Sequence, residues 1–231
     1  MSRGQANVVG VALLIGITVV SLGALTASIG AIVESNAAAA DADRVASDLD
    51  SALEPVAATG PNRGTVSFAD GRLQPTERNV TVRVGDENRT VGTDALVFTA
   101  DDSRAAFHTG GIVRGTGESS FFERPPPITV GDGIVVVGAA RLGDPDGVGG
   151  TDVRVTLATN VSHERERLGN GPVEVAVETA APVAWERMFR DQGATTERRS
   201  GEPSTVVATY DGNRTGYLVV HDLELEVQSR G

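Results

Sequence analysis

From Ala6 to Val33 the chain carries no charged residue, and its one strongly polar side chain there, Asn7, lies near the start of the run. Wound as an α-helix at about 1.5 Å per residue, these 28 residues extend about 42 Å. The hydrocarbon core of a bilayer is about 30 Å thick, so the run spans it with tilt or overhang. A core helix of a soluble domain is the competing explanation, but such helices keep a polar stripe and this one has none. A helix also satisfies its own backbone hydrogen bonds, which lets it rest in lipid and pack against copies of itself.

The residues ahead of the run distinguish its type. A secretory signal has a longer basic region, an apolar core of about 7 to 15 residues and a small-residue cleavage site. Here the leader is Met1-Ser2-Arg3-Gly4-Gln5, Arg3 is its lone charge, and the apolar run is about twice that length. A cleaved signal cut at Ala37 to Ala40 is the competing reading. The stretch RGQA, Arg3 to Ala6, followed at once by NVVGVALLIGITVV, resembles the class III leader of archaeal type IV pilins and archaellins. That resemblance, confined to roughly the first thirty-five residues, implies a prepilin peptidase that recognises Arg3 and Gly4 on the cytoplasmic side and leaves Gln5 as the new N-terminus. The acidic residue that bacterial pilins place five residues into the mature chain is Val9 here; archaeal members commonly lack it too. Ala12, Gly16, Gly23, Ala27 and Gly30 put small residues along one face, which allows helix backbones to approach closely. Glycine and alanine are also simply common in membrane helices.

Beyond the run, an alanine-rich stretch acquires a helical stripe at Val45, Leu49 and Leu53, and the first clear breaker is Pro55. One helix from about Asn7 to Leu53 would be about 70 Å long, its lower half in lipid and its upper half on a head. From Gly64 onward the pattern turns to short β-prone runs separated by turn residues, roughly ten strands in all. Asp70-Gly71 reads as closing one strand pair, and Gly85 to Asn88 as a hairpin turn. Ala181 to Gly193 reads as the one helix inside this region, with Trp185, Met188 and Phe189 facing the core. The expected fold is α+β: leader 1–5, transmembrane and stalk helix 6–54, and an antiparallel, sandwich or barrel-like β-rich head over 64–231.

Acidic residues outnumber basic ones 31 to 20, every basic residue is arginine, and the formal net charge is -11. Nucleic acid is a poor partner for such a chain, because phosphate neutralisation needs a basic patch and none appears. The balance suits a high-salt milieu, where screening makes dense negative charge tolerable; a GC-rich genome favouring arginine codons explains the absent lysine equally directly. With no cysteine, neither disulfides nor thiolate metal sites hold the fold.

Four of the eight asparagines open Asn-x-Ser/Thr sequons: Asn79, Asn88, Asn160 and Asn213. All fall in the head, where exported acceptor sites belong; coincidence in a Thr-rich β protein is the alternative. Asp144, Asp146 and Asp152 stand in a glycine-rich loop that offers weak calcium ligands, lacking the terminal glutamate of a full loop. His108, His163 and His221 lie on separate segments, and HERER has no second histidine at i+4 for a zinc helix. There is no G-x-S-x-G elbow, P-loop or dinucleotide fingerprint, so neither catalysis nor a cofactor is expected. With the resemblance, these features point to a single-pass membrane protein with an extracytoplasmic head, a structural or minor subunit of a pilus- or pseudopilus-type filament partnered by copies of itself or by other pilin-like subunits. An anchored binding module that never polymerises is the alternative, and an exported enzyme with a convergent polar pocket the third.

Overall fold

The structure, a computed structural model, describes residues 3–53 and 58–229, with side chains over 13–53 and 58–228. The expected helix forms without a break: α1 runs Arg3–Leu53, 51 residues or about 77 Å. Arg3, Gly4, Gln5 and Ala12 lie on its backbone, while their side chains, and Pro55 entirely, lie outside the described residues. No proline or glycine interrupts the helix between Ala31 and Leu53, which is why it passes from its apolar half into its alanine-rich half without a break.

The head is a 13-stranded sheet system built on three long strands. Strand β1 is Gly60–Thr76; β2 (Asn79–Val84) and β3 (Glu87–Gly92) form the expected hairpin about Gly85. A meander follows: β4 (Ala95–Ala100), β5 (Ser103–His108), β6 (Gly111–Arg114) and β7 (Phe121–Arg124). Then come β8 (Ile128–Gly131), β9 (Ile134–Arg141) and the 32-residue β10 (Val148–Thr179). Helix α2 (Pro182–Asp191) precedes β11 (Thr195–Arg199), β12 (Ser204–Asp222) and β13 (Glu226–Ser229). The first half of β10 pairs with β1 and β13, the second half with β12 and β2, so one strand serves two sheets. The upper half of α1 covers one sheet with a core that includes Val45, Leu49, Leu53, Phe68, Phe98 and Phe107. The other sheet is filled by valines from β2, β9, β10 and β12 and covered by Trp185, Met188 and Phe189 of α2.

The structure departs from local sequence pattern at three places. Asp70-Gly71 is not a hairpin turn: β1 continues through it, pairing with β10 up to Leu73 and with β4 from Arg72. Gly71, at φ +146°, bends the strand against Phe98, whose ring would lie 2.6 Å from a Cβ there. The Gly169–Pro172 segment likewise does not end a strand; the ladder with β12 shifts register there and carries on. The pairing is antiparallel throughout except for β9 beside β12, which is parallel from Ile134 opposite Thr215 to Arg141 opposite Asp222.

Candidate functional site at the junction of helix and head

Helix α1 carries two kinds of surface. From Leu13 to Ala37 every side chain is exposed, and Leu14 and Ile32 show 66% and 61% of their surface. None of the apolar window is buried, unlike the core helix of a soluble domain. Leu13 to Val33 is about 32 Å of helix, the thickness of a hydrocarbon core. Three of its hydroxyls turn inward: Thr18, Thr26 and Ser28 donate to carbonyls four residues back at 2.8, 2.9 and 2.9 Å. The small-residue face at Gly16, Gly23 and Gly30 meets nothing within 4 Å of a built Cβ, and Ala27 is exposed. That face therefore has no partner within the described chain.

From Ala38 upward the helix is seated by four aspartates as well as by its apolar stripe. One edge of β1 is paired only from Arg72 to Thr76, which leaves earlier N–H groups needing acceptors. Asp41, 5% exposed, accepts from the backbone N–H groups of Ala69 at 2.9 Å and Asp70 at 3.1 Å. Asp48 accepts from the Ser67 N–H at 3.0 Å and from its hydroxyl at 3.4 Å. Asp43 pairs with Arg114 of β6. Asp50 lies 2.9 Å from Arg124 of β7, although that guanidinium nitrogen donates to the Asp50 carbonyl at 3.2 Å instead of to the carboxylate. At the helix end the Asn62 amide donates to the Ala52 carbonyl at 2.7 Å. A Cβ on Gly64 would stand 2.2 Å from Ala52 Cβ, so the helix rests on bare strand backbone.

Where α1 leaves the head, a cleft of about 860 Å³ opens between the helix, the bend of β1 and the Gly147–Gly150 segment. Glu34, Asp70, Arg72 and Asp101 line it, so it offers charge of both signs. Glu34 is the first charge after the apolar run, which sets this cleft at the level of a bilayer surface when the run spans one.

The four sequon asparagines are all exposed. Asn79 and Asn160 have amides held by carboxylates, Glu178 at 3.0 Å and Glu224 at 2.8 Å. The hydroxyls of Thr81 and Thr90, which complete the first two sequons, share a hydrogen bond of 2.9 Å across β2 and β3. Asp144, Asp146 and Asp152 are exposed, and among the described residues no three His, Asp or Glu side chains gather into a metal-holding group. His163 and His221, distant in sequence, do meet across β10 and β12.

Among the groups with shifted titration are His108 and Glu186. His108 is buried beside Trp185, and burial first, then the Arg78 and Arg104 charges, push its pKa down to about 3. Glu186 of α2 accepts from Arg198 at 2.6 Å and Arg190 at 2.7 Å, and the Arg198 hydrogen bond holds its carboxyl below the usual range against the opposing cost of burial.

The docking aspartates escaped the sequence reading because DADRVASDLD looks like a solvated acidic face. The available signal was spacing: Asp41 and Asp48, and likewise Asp43 and Asp50, are seven residues apart and flank the Val45–Leu49 stripe.

Helix and head together define an α+β protein with an N-terminal helix long and apolar enough to cross a membrane, its upper half packed on a β-rich domain. The chain belongs to a family of unknown function, DUF7289, which matches it over residues 3–226. The match takes in both the apolar helix and the head, so the family shares them as one unit. No curated protein and no solved structure matches the chain.

Proposed function

We propose that this protein is a pilin-like surface subunit of an archaeal envelope, inserted through α1 with its head outside the cytoplasm. A prepilin peptidase cuts between Gly4 and Gln5, and the freed helix packs with copies of itself or with other pilin-like subunits. The role is structural, not catalytic. The observation that carries this reading is the single unbroken helix, bare and apolar over Leu13–Val33 and seated in the head from Ala38 onward. The unpartnered face at Gly16, Gly23 and Gly30 supports close packing between helices. Exposure of Asn79, Asn88, Asn160 and Asn213 supports sugar attachment at the surface.

Leader processing tests it. Mass spectrometry of protein recovered from membranes should give a mature chain beginning at Gln5, and replacing Gly4 by a bulky residue should leave the leader attached. Mature protein that keeps Arg3 sinks the pilin reading. It favours the second one, an anchored module that never polymerises, for which the cleft beside Glu34 and Arg72 is the candidate binding surface.

A further inference from the structure

His163 and His221 are 58 residues apart in the chain and directly opposite each other in the β10–β12 ladder. Their Nδ1 atoms approach to 2.8 Å, with ring centroids 4.9 Å apart and ring planes at 84°. They stand at the seam of the head: Val161 ends the pairing of β10 with β1, and Ser162 begins its pairing with β12. His221 is 8% exposed and lies over Gly138 of β9, where a Cβ would meet its Nε2 at 3.0 Å and the Pro127 ring at 2.6 Å. The missing side chain at Gly138 gives the imidazole its place. His163, by contrast, faces solvent.

We propose that these two imidazoles form a cross-strand chelate for a divalent transition metal, Cu(II) above all. Two nitrogens bound at about 2.0 Å and cis in a square plane are about 2.8 Å apart, whereas tetrahedral ligands are about 3.3 Å apart. The observed separation is that of a hydrogen bond and lies near the cis spacing, so a turn of each ring aims both nitrogens at one ion; Cu(II) binds nitrogen sites most tightly among the divalent first-row ions. The ladder fixes both backbones, so the ligands are brought together before the metal arrives. The metal sits to one side of the line joining the two Nδ1 atoms and displaces the hydrogen they now share, each ring turning toward it. The ring that donates across that contact gives up its Nδ1 proton to solvent or to its other nitrogen as the ion binds. The remaining coordination positions face the solvent side, beside His163, and take water. The site is independent of the anchoring and filament reading, since it lies wholly within the head.

The full chain in detergent, titrated with copper sulfate at neutral pH, should bind one Cu(II) per chain. Its electron paramagnetic resonance spectrum should be tetragonal with splitting from imidazole nitrogen, and the melting temperature of the head should rise. His163→Ala, at an exposed position where circular dichroism can confirm the fold, should weaken binding by more than about 100-fold. Partners one layer further out already contribute about 10- to 100-fold. Equal copper affinity in the parent and His163→Ala chains, or no stoichiometric binding by the parent chain, overturns the proposal.

Discussion

Acid should destabilise the head through His108, whose position allows the magnitude to be worked out. The imidazole on β5 is 2% exposed, stands edge-on to Trp185 with centroids 5.4 Å apart, and has no partner for Nε2 among the described residues. Its pKa falls from 6.5 to about 3. A base held neutral in the fold leaves the unfolded chain binding one more proton throughout that window, so stability declines as pH drops from about 6.5 toward 3. At about 1.4 kcal/mol per pH unit, acidifying from pH 6.5 to about 5 costs about 2 kcal/mol, a large share of a typical domain's 5–15 kcal/mol. His108→Leu removes the proton site while keeping an apolar filler of similar size. Every other ionisable group is common to both chains, and the difference isolates position 108. Urea unfolding of the detergent-solubilised chain at about pH 7, 6 and 5 can be followed by the fluorescence of Trp185, the sole tryptophan. The parent should lose about 2 kcal/mol more than His108→Leu between the two extremes. Parallel pH dependence in the two chains would refute the reasoning, because it would mean His108 gains its proton in the fold as readily as in the unfolded chain.

Gly64→Ala should loosen the seat of α1 by about 2 to 3 kcal/mol, since the new Cβ meets Ala52 Cβ at 2.2 Å and Cα at 2.5 Å, and backbone has to give way; faster proteolysis at Ala37 to Ala40 reads the effect, and an unchanged rate counts against the docking geometry. Asp41→Ala leaves the Ala69 and Asp70 N–H groups without an acceptor, at about 2 to 3 kcal/mol, whereas Asp41→Asn keeps one acceptor and should cost less. Hydrogen exchange at those two amides should accelerate most in Asp41→Ala, and equal exchange in all three chains argues that Asp41 does not hold them.

What could be read from the sequence was whatever local pattern decides. Val45, Leu49 and Leu53 repeat at helical spacing, and all three are buried against the head. Trp185, Met188 and Phe189 declared the inner face of α2 in the same way, and Gly85-Asp86 announced its own hairpin. The failures are non-local. Gly169 to Pro172 has turn chemistry, yet β12 runs alongside and supplies partners on both sides of the irregularity, so the glycines bend one strand instead of ending it. Nothing near Ile134 tells that β9 will lie parallel to β12, a pairing decided some eighty residues downstream. The contact of His163 with His221 depends on that same register and could not be seen until the ladder was known.

The four aspartates of α1 also bear on how such a chain holds its head upright in salt. The pairs Asp43–Arg114 and Asp50–Arg124 are partly exposed, and charges at the surface lose most of their attraction once ions screen them over about 10 Å or less. Asp41 and Asp48 act differently, because their partners are backbone N–H groups of β1 at 2.9 to 3.1 Å, short-range and partly sheltered from water. Those hydrogen bonds, with the apolar stripe beneath them, keep the helix seated when the ion pairs weaken. A helix fixed in this way transmits the direction of its bare lower half to the whole head. The angle between head and membrane, or between head and neighbouring helices, is then set by the contacts between Ala38 and Leu53 and not by a flexible linker.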